Sequence, residues 1–228
     1  MKTLKVSLLA AVASLAMGGA AMAQDGPDIS FNLGIASDYV FRGVSQTDES
    51  PQVFGGADLT SGSFYAGVWA SNVDFLDSTD AEVDVYAGFK PTAGPVSLDF
   101  ALIYYGYLNQ PGGADYGYWE GKAAASVAAG PGTLGAAIYY SPDFFGAVDE
   151  AVYYEINGSA PLGEKLTLSG ALGHQAVEGA GDYTTWNLGV GVALTDNIGL
   201  DLRYHDTDEH NFGSIYESRV TASLKATF

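Results

Sequence analysis

Residues 185–194, TWNLGVGVAL, decide the fold of this chain. Apolar side chains stand at every second position, from Trp186 through Leu188 to Leu194, and the positions between them carry Thr, Asn, Gly and Ala. Successive side chains of a β-strand point to opposite faces, so this pattern predicts a strand with one apolar face and one small or polar face. A strand of about ten residues is long enough to cross a bilayer when it is tilted.

The same alternation recurs along most of the chain and predicts about twelve strands. The other regular runs lie at 82–90, 96–105, 198–205 and 220–228, and less regular runs lie at 28–40, 51–60, 63–73, 116–129, 133–141, 151–160 and 165–175. No segment after the N-terminus contains the roughly 20 apolar residues of a transmembrane helix. A chain of this kind would therefore enter a membrane as strands.

The connections between these strands alternate in length. Short turns rich in Gly, Pro, Asn and Asp alternate with longer loops near 42–50, 74–81, 107–115, 142–150, 176–182 and 206–214. Turns at one end and loops at the other are typical of outer-membrane barrels, whose turns are periplasmic and whose loops face outside. We therefore predict an all-β fold, an antiparallel up-and-down transmembrane β-barrel.

A soluble β-sandwich is the alternative fold, since it also has alternating strands and Gly-rich turns. Its apolar faces would have to pack on each other, leaving a polar outer face. Two features favour the barrel instead. The face opposite the apolar one is mostly small or polar in every strand, and Phe228 ends the sequence in phase with the apolar face. We expect the barrel-assembly machinery to recognise a C-terminal strand that ends in this way.

Composition excludes several classes of protein. The 228 residues include 27 acids against nine Lys and Arg, so a nucleic-acid partner, which needs a basic surface, is not expected. The absence of cysteine excludes a disulfide scaffold, a zinc-finger site and a cysteine nucleophile. Aromatic residues make up 13% of the chain, which argues against disorder.

The first residues have the pattern of an export signal. Lys2 and Lys5 precede an apolar stretch over 6–17, and Ala21-Met22-Ala23 is the small-x-small pattern that a signal peptidase cleaves. We expect residues 1–23 to be a signal peptide and residues 24–228 to form the barrel in the bacterial outer membrane. A membrane anchor is the alternative, but the apolar stretch is short for about 30 Å of hydrocarbon.

Aromatic residues near the ends of the apolar faces predict a girdle at the membrane surface, where lipid and lipopolysaccharide are the expected partners. The loop-end members are Tyr39, Phe41, Tyr104, Trp119, Tyr140, Tyr154, Trp186, Tyr204 and Tyr216, and the turn-end members are Phe31, Phe64, Phe89 and Phe228. Ordinary core aromatics are the alternative interpretation.

The polar faces carry charges of both signs, which are costly against lipid and are therefore expected to line a lumen. The lumen-lining candidates are Arg42, Asp58, Glu82, Asp84, Asp99, Glu120, Lys122, Glu155, Asp201, Arg203, Glu217 and Arg219. Small inward residues such as Gly189, Gly191 and Gly173 are expected to leave space for solutes. A lumen closed by salt bridges is the alternative.

Catalytic and metal-binding patterns are sparse, and no catalytic residue, metal or cofactor is predicted. His205 stands among Asp201, Asp206 and Asp208, so an acid–base pair at the barrel rim, as in an outer-membrane hydrolase, is one alternative. His210 with its acidic neighbours could bind a divalent cation. No GxSxG, HExxH or P-loop pattern is present.

Residues 37–46, SDYVFRGVSQ, resemble the opening signature of the TorF family, a proteobacterial family of outer-membrane proteins with presumed pore activity. The resemblance continues through 55–58 and 64–74 and then through short matches at 173–174, 186–190 and 204–208. It implies an outer-membrane barrel that forms a pore, and it brings no catalytic residue and no known solute.

Together these patterns predict an outer-membrane, porin-like channel for passive diffusion of small hydrophilic solutes. Because acids outnumber bases in the lumen set and in the loops, we expect a preference for cations. A closed barrel whose loops bind a partner, and less readily a hydrolase active at the rim, are the alternatives.

Overall fold

The computed structural model describes residues 26–146 and 149–228, and almost all of them belong to strands and their connections. The strands are β1 (Asp28–Ala36), β2 (Val40–Phe41), β3 (Val44–Ser45), β4 (Gln52–Ser61), β5 (Phe64–Asn72), β6 (Ala81–Phe89), β7 (Thr92–Ala93), β8 (Val96–Leu108), β9 (Tyr118–Ala129), β10 (Gly132–Ser141), β11 (Ala151–Pro161), β12 (Leu166–Val177), β13 (Tyr183–Ala193), β14 (Ile198–Thr207) and β15 (Arg219–Thr227). Two 3₁₀ turns, η1 (His210–Phe212) and η2 (Ser214–Tyr216), lie between β14 and β15.

Twelve of the strands close into a barrel. Each barrel strand pairs antiparallel with its neighbours along the chain, and β1 pairs with β15 to join the two ends. The two-residue β7 pairs only with the start of β8, and β6 pairs directly with β8 beside it. The predicted up-and-down antiparallel barrel of twelve strands is therefore confirmed. The predicted signal peptide at 1–23 lies outside the described residues.

The wall of the barrel has an apolar outside and a polar inside. Leu33 and Leu188 are both 58% exposed on the outer surface, whereas Glu82 and Glu120 on the inner surface are each 2% exposed. A continuous apolar exterior of this kind fits lipid rather than water. The alternation in TWNLGVGVAL thus predicts the two faces of the wall correctly, with Trp186 and Leu188 outside and Thr185 inside.

Short and long connections alternate as predicted, with β-turns such as Gly62–Ser63 at one end and the longer loops at the other. Gly62, Gly94 and Gly130 have φ values of 60°, 61° and 62°, a left-handed conformation that glycine adopts without steric cost. Within 26–146 and 149–228, no helix has both the length and the apolar character needed to cross a membrane.

Most aromatic residues predicted for the girdle are exposed on the outer surface, including Phe31, Phe64, Trp119 and Phe228. Three predictions were wrong. Tyr39 is buried, Phe41 packs edge-on against the inward Tyr105, and Tyr216 packs against Tyr183. None of these three residues belongs to a barrel strand, so the strand alternation used for the prediction does not determine the direction of their side chains.

Candidate functional site

The first long connection, residues 37–51, folds into the barrel instead of standing above it. Its two short strands, β2 and β3, form a hairpin whose Val40, Arg42 and Val44 are all buried. Arg42 and Gly43 form the tip with φ values of 49° and 86°. A side chain on Gly43 would collide with Thr185 of the wall, so only glycine allows this close approach.

Arg42 is the centre of the contacts that hold this hairpin inside the barrel. Its Nη2 donates to Oε1 of Glu120 at 2.7 Å, and its Nη1 donates to Oε1 of Gln175 at 2.9 Å. The guanidinium also lies 4.4 Å from the ring centroid of Tyr153 and 4.8 Å from that of Tyr139. The planar cation is therefore satisfied by charge, hydrogen bonds and aromatic faces together.

The base of the hairpin is fixed by the carboxylate of Asp38. One oxygen accepts hydrogen bonds from Ser45 Oγ at 2.7 Å and Thr47 Oγ1 at 2.9 Å. The other accepts from Nη1 of Arg219 on β15 at 3.0 Å. This carboxylate thus joins both ends of the hairpin to the barrel wall beside the closing strand pair.

Tyr39 connects the hairpin to the acidic wall of β6. Its hydroxyl donates to Oε1 of Glu82 at 2.8 Å. Asp84 stands two residues further along the same inner face, and its buried Oδ1 has no hydrogen-bond partner among the described residues. The inner face of β6 therefore presents two buried carboxylates of which one is incompletely satisfied, an arrangement that is electrostatically costly.

A second group of charges lies on the turn side of the hairpin. Lys122 Nζ donates to Asp99 Oδ2 at 2.7 Å, and the Tyr65 hydroxyl donates to the other oxygen of Asp99 at 2.7 Å. The Tyr86 hydroxyl donates to Asp58 Oδ1 at 2.6 Å. Tyrosine hydroxyls thus complete the hydrogen bonding of carboxylates that project from strands two places away around the barrel.

Two of the small inward residues named above, Gly173 and Gly189, do not leave the space that the sequence suggested, whereas a Cβ on Gly191 would have no atom closer than 3.8 Å. Gly189 faces Arg203, whose guanidinium lies over it while bonding Asp201, Asn187 and Ser169. Tyr153 covers Gly173 in the same way. A large inward side chain on one strand lies flat against a glycine on the next, so these two glycines accommodate neighbours rather than solutes.

Most lumen-lining candidates project into the barrel. The buried candidates are Arg42, Glu82, Asp84, Asp99, Glu120, Lys122 and Arg203, and the half-buried candidates are Asp58, Glu155, Asp201 and Arg219. The predicted position of Glu217 was wrong, because it is exposed and follows η2 outside the barrel strands. The last loop extends to residue 218, so the strand alternation does not apply at this glutamate.

Three important partners of Arg42 were missing from the candidate set. Gln175, Tyr139 and Tyr153 are uncharged, and the sequence reasoning selected only charged side chains. All three stand in the inward phase of their strands, opposite outward residues such as Tyr140 and Tyr154. Their inward position in the alternation could have identified them, because a long polar or aromatic side chain that points inward must contact other groups in the lumen.

The histidines do not form the acid–base pair that was considered. His205 Nε2 contacts Thr221 Oγ1 at 3.1 Å, and His174 Nδ1 contacts Thr184 Oγ1 at 3.2 Å. His210 of the exposed last loop does place its Nε2 2.8 Å from Oδ1 of Asp206, near the end of β14, and this contact raises the pKa of His210. Across 26–146 and 149–228, no three His, Asp or Glu side chains are grouped so that they could hold a metal ion.

A cavity of about 470 Å³ lies at the loop end of the barrel. We call it the vestibule; it is lined by the hairpin, by the loops after β5, β8, β10 and β12, and by the 3₁₀ turns. Phe75, Tyr107, Tyr116 and Phe145 form an aromatic cluster on one side of it. Phe41, Val44 and Asp48 of the hairpin contribute another part of its lining.

A closed antiparallel barrel with an apolar exterior and a charged interior defines the class of porin-like β-barrels. Over residues 20–228, the chain belongs to a family described as "Bacterial protein of unknown function (Gcw_chp)". The family carries this name rather than TorF, so the resemblance to the TorF family stays a prediction. No curated protein sequence matches the chain.

Solved porin structures have a similar fold. The KdgM porin superposes with a TM-score of 0.63 at 7% sequence identity, covering 87% of this chain and 99% of that chain. The NanC porin superposes with a TM-score of 0.56 at 10% identity, covering 88% of this chain and 98% of that chain. At such identities the similarity shows a shared fold and does not extend to individual residues.

Proposed function

We propose that this protein is a porin-like outer-membrane channel for small hydrophilic solutes, narrowed by the hairpin at residues 37–51. The observation that carries the proposal is the position of Arg42, a charged side chain held inside a closed barrel by Glu120 and Gln175. The porin folds of KdgM and NanC support the assignment to an outer-membrane channel.

The location in the bacterial outer membrane rests on the same fold and on the exposed apolar exterior. Lipid and lipopolysaccharide are the proposed partners of that exterior. The export signal at 1–23 and recognition of Phe228 by the barrel-assembly machinery complete the proposal. Phe228 is on the outside of the barrel, and its backbone exchanges hydrogen bonds with Phe31 of β1 across the closing seam.

The burial of Arg42 and Glu120 indicates that the channel is narrow at this level. Both side chains are almost inaccessible to water, with relative exposures of 6% and 2%. A solute that passes the hairpin must displace part of it or use the remaining space beside it. We therefore propose a low basal conductance that rises when the hairpin is released.

We also propose a preference for cations. Each basic candidate in the lumen is paired with an acid: Arg42 with Glu120, Lys122 with Asp99, Arg203 with Asp201 and Arg219 with Asp38. Glu82, Asp84 and Glu155 have no such ion pair in the described structure, so the interior carries an excess of acids. Fixed negative charge in a narrow passage concentrates cations and repels anions.

Planar-bilayer conductance of the refolded residues 24–228 tests the channel. The informative variant replaces residues 38–47 by a short Gly-Ser linker. The control makes the same replacement at 111–115, in the part of the loop after β8 that does not line the vestibule. We expect small conductance steps for the wild type, larger steps for the hairpin variant and unchanged steps for the control. The reversal potential in a salt gradient then gives the sign of the selectivity.

Absence of conductance in both the wild type and the hairpin variant would contradict the channel. It would favour the second candidate, a closed barrel with a binding role at its loops. The observation in favour of that candidate is the vestibule, a cavity large enough for a small molecule. A rim hydrolase using His174 or His205 has no comparable support, since each contacts a threonine hydroxyl, and the one histidine described beside a carboxylate is His210 in the last loop.

A further inference from the structure

The vestibule has the chemistry of a ligand site as well as the size of one. Its volume of about 470 Å³ is within the range of about 300–1,000 Å³ that is usual for small-molecule sites. Its lining is mostly apolar and aromatic, and it receives residues from the hairpin and from several loops. A site assembled from so many separate segments encloses a ligand on several sides.

The aromatic cluster provides flat faces for a ligand. Phe75 is central to it, with ring-centroid distances of 5.3 Å to Phe145, 5.6 Å to Tyr107 and 6.0 Å to Tyr116. Tyr116 and Phe145 stack on each other at 4.7 Å. Phe75 meets Phe145 and Tyr116 edge-to-face, and so does Tyr107. The rings therefore hold one another in fixed orientations and need little ordering when a ligand arrives.

The charge of the vestibule has one sign. Asp48, Asp74 and Asp77 are part of its lining, and the described lining includes no Lys, Arg or His. Backbone and side-chain hydrogen bonds from Thr79 and Tyr116 lower the pKa of Asp77, which keeps this carboxylate ionised. The surrounding loops add further acids, so the charges around the vestibule repel an anionic ligand.

We propose that the vestibule binds a small organic cation with an apolar body, such as an aromatic or alkyl-substituted ammonium compound. The aromatic faces attract the cation and cover its apolar part, while the carboxylates neutralise its charge. The anionic groups would reject carboxylated or phosphorylated analogues of the same shape. This site does not require an open pore, because every residue used here lies at the loop end of the barrel.

Isothermal titration calorimetry on the refolded barrel in detergent tests the site with three probes of similar size. Benzyltrimethylammonium carries the cation, benzyl alcohol is neutral and benzoate is anionic. We expect benzyltrimethylammonium to bind about tenfold more tightly than benzyl alcohol, since cation–π contacts and partly desolvated charges both contribute. We expect no measurable binding of benzoate.

Two variants connect the binding to the vestibule. Asp48→Asn keeps size and tolerates the φ of 46° at this position, and we expect it to weaken cation binding about twofold to fivefold. Phe75→Leu keeps an apolar side chain but removes an aromatic face, and we expect a loss of about fivefold. Asp115→Asn removes an exposed loop charge outside the lining and should leave the affinity unchanged.

Equal affinity for the three probes would overturn the proposal, and so would unchanged cation binding in both Asp48→Asn and Phe75→Leu. A parallel loss in Asp115→Asn would overturn it as well, because it would attribute the binding to diffuse loop charge. None of these results depends on conductance. The binding experiment can therefore contradict the cation site without contradicting the channel, and the conductance experiment can contradict the channel without contradicting the cation site.

Discussion

The guanidinium of Arg42 and the carboxylate of Glu120 meet at 2.7 Å inside the barrel although 78 positions separate them in the sequence. Removing one partner of a buried ion pair leaves the other charge unpaired. We therefore expect Arg42→Ala to lower the free energy of unfolding by about 3–5 kcal/mol, because Glu120 stays buried without its cation. Denaturant titration of the barrel in detergent, followed by tryptophan fluorescence, measures this loss.

The exposed Lys165→Ala, at a turn between β11 and β12, is the matched control and should change the unfolding free energy little. The double variant Arg42→Met with Glu120→Leu removes both charges and should recover most of the stability lost in Arg42→Ala. If Arg42→Ala were as stable as the control, the pair would have no part in holding the hairpin.

Two glycines on the inner face of β13 give a second prediction. A Cβ at residue 189 would stand 2.8 Å from Cζ of Arg203, whereas a Cβ at residue 191 would have its nearest neighbour, Asp201 Oδ2, at 3.8 Å. We expect Gly189→Ala to destabilise the barrel by about 1–3 kcal/mol, because it pushes the guanidinium off its partners. Gly191→Ala should be nearly neutral in the same denaturant titration. Equal effects of the two changes would contradict the interlocking of Gly189 with Arg203.

The last loop carries a pH-dependent contact. Asp206 raises the pKa of His210 above its ordinary value of 6.5 by accepting a hydrogen bond from the imidazolium. The contribution of this contact to loop order is therefore complete below about pH 6.5, the unfolded pKa, and is lost as pH rises through the folded pKa. An NMR titration of the His210 ring should give a midpoint above 6.5. In Asp206→Asn the midpoint should fall, and an unchanged midpoint would rule out the carboxylate as the cause.

Topology can be tested without background labelling because the chain has no cysteine. Asp115→Cys places a thiol in a long loop, and Asp196→Cys places one in a short turn at the other end of the barrel. With loops outside and turns in the periplasm, a membrane-impermeant maleimide added to intact cells should label only Asp115→Cys. Both variants should react after lysis. Labelling of Asp196→Cys alone in intact cells would invert the orientation.

Strand periodicity predicted the wall of the barrel because each wall residue has only two directions available. Outward residues such as Leu188 are apolar, and inward residues such as Glu120 are mostly small or polar, so the alternation records the direction of each side chain. The agreement ends at Ser37, where the chain leaves the sheet. In that connection the apolar residues Val40, Phe41 and Val44 indicated the buried hairpin, because a loop with several apolar side chains is expected to pack against the rest of the protein.

The individual contacts inside the lumen could not be predicted for a different reason. Arg42 meets Glu120 and Gln175 only because barrel closure brings distant strands to the same height, and the relative heights of the strands follow from the pairing register rather than from any local pattern. The filling of Gly173 and Gly189 has the same origin. From the sequence alone, an inward glycine suggests empty space in the lumen. In the folded barrel, Tyr153 or Arg203 of the neighbouring strand occupies that space.

The hairpin also has a consequence for the order in which the molecule is assembled. Tyr39 and Arg42 are synthesised early, but Glu120 and Gln175, the hydrogen-bond partners of Arg42, belong to β9 and β12, and Arg219, which fixes Asp38, belongs to the last strand. Contacts between such distant segments form only after the intervening chain has been ordered. We therefore expect the wall to close around a hairpin that is still solvated, so that a barrel with an unfilled interior precedes the native state.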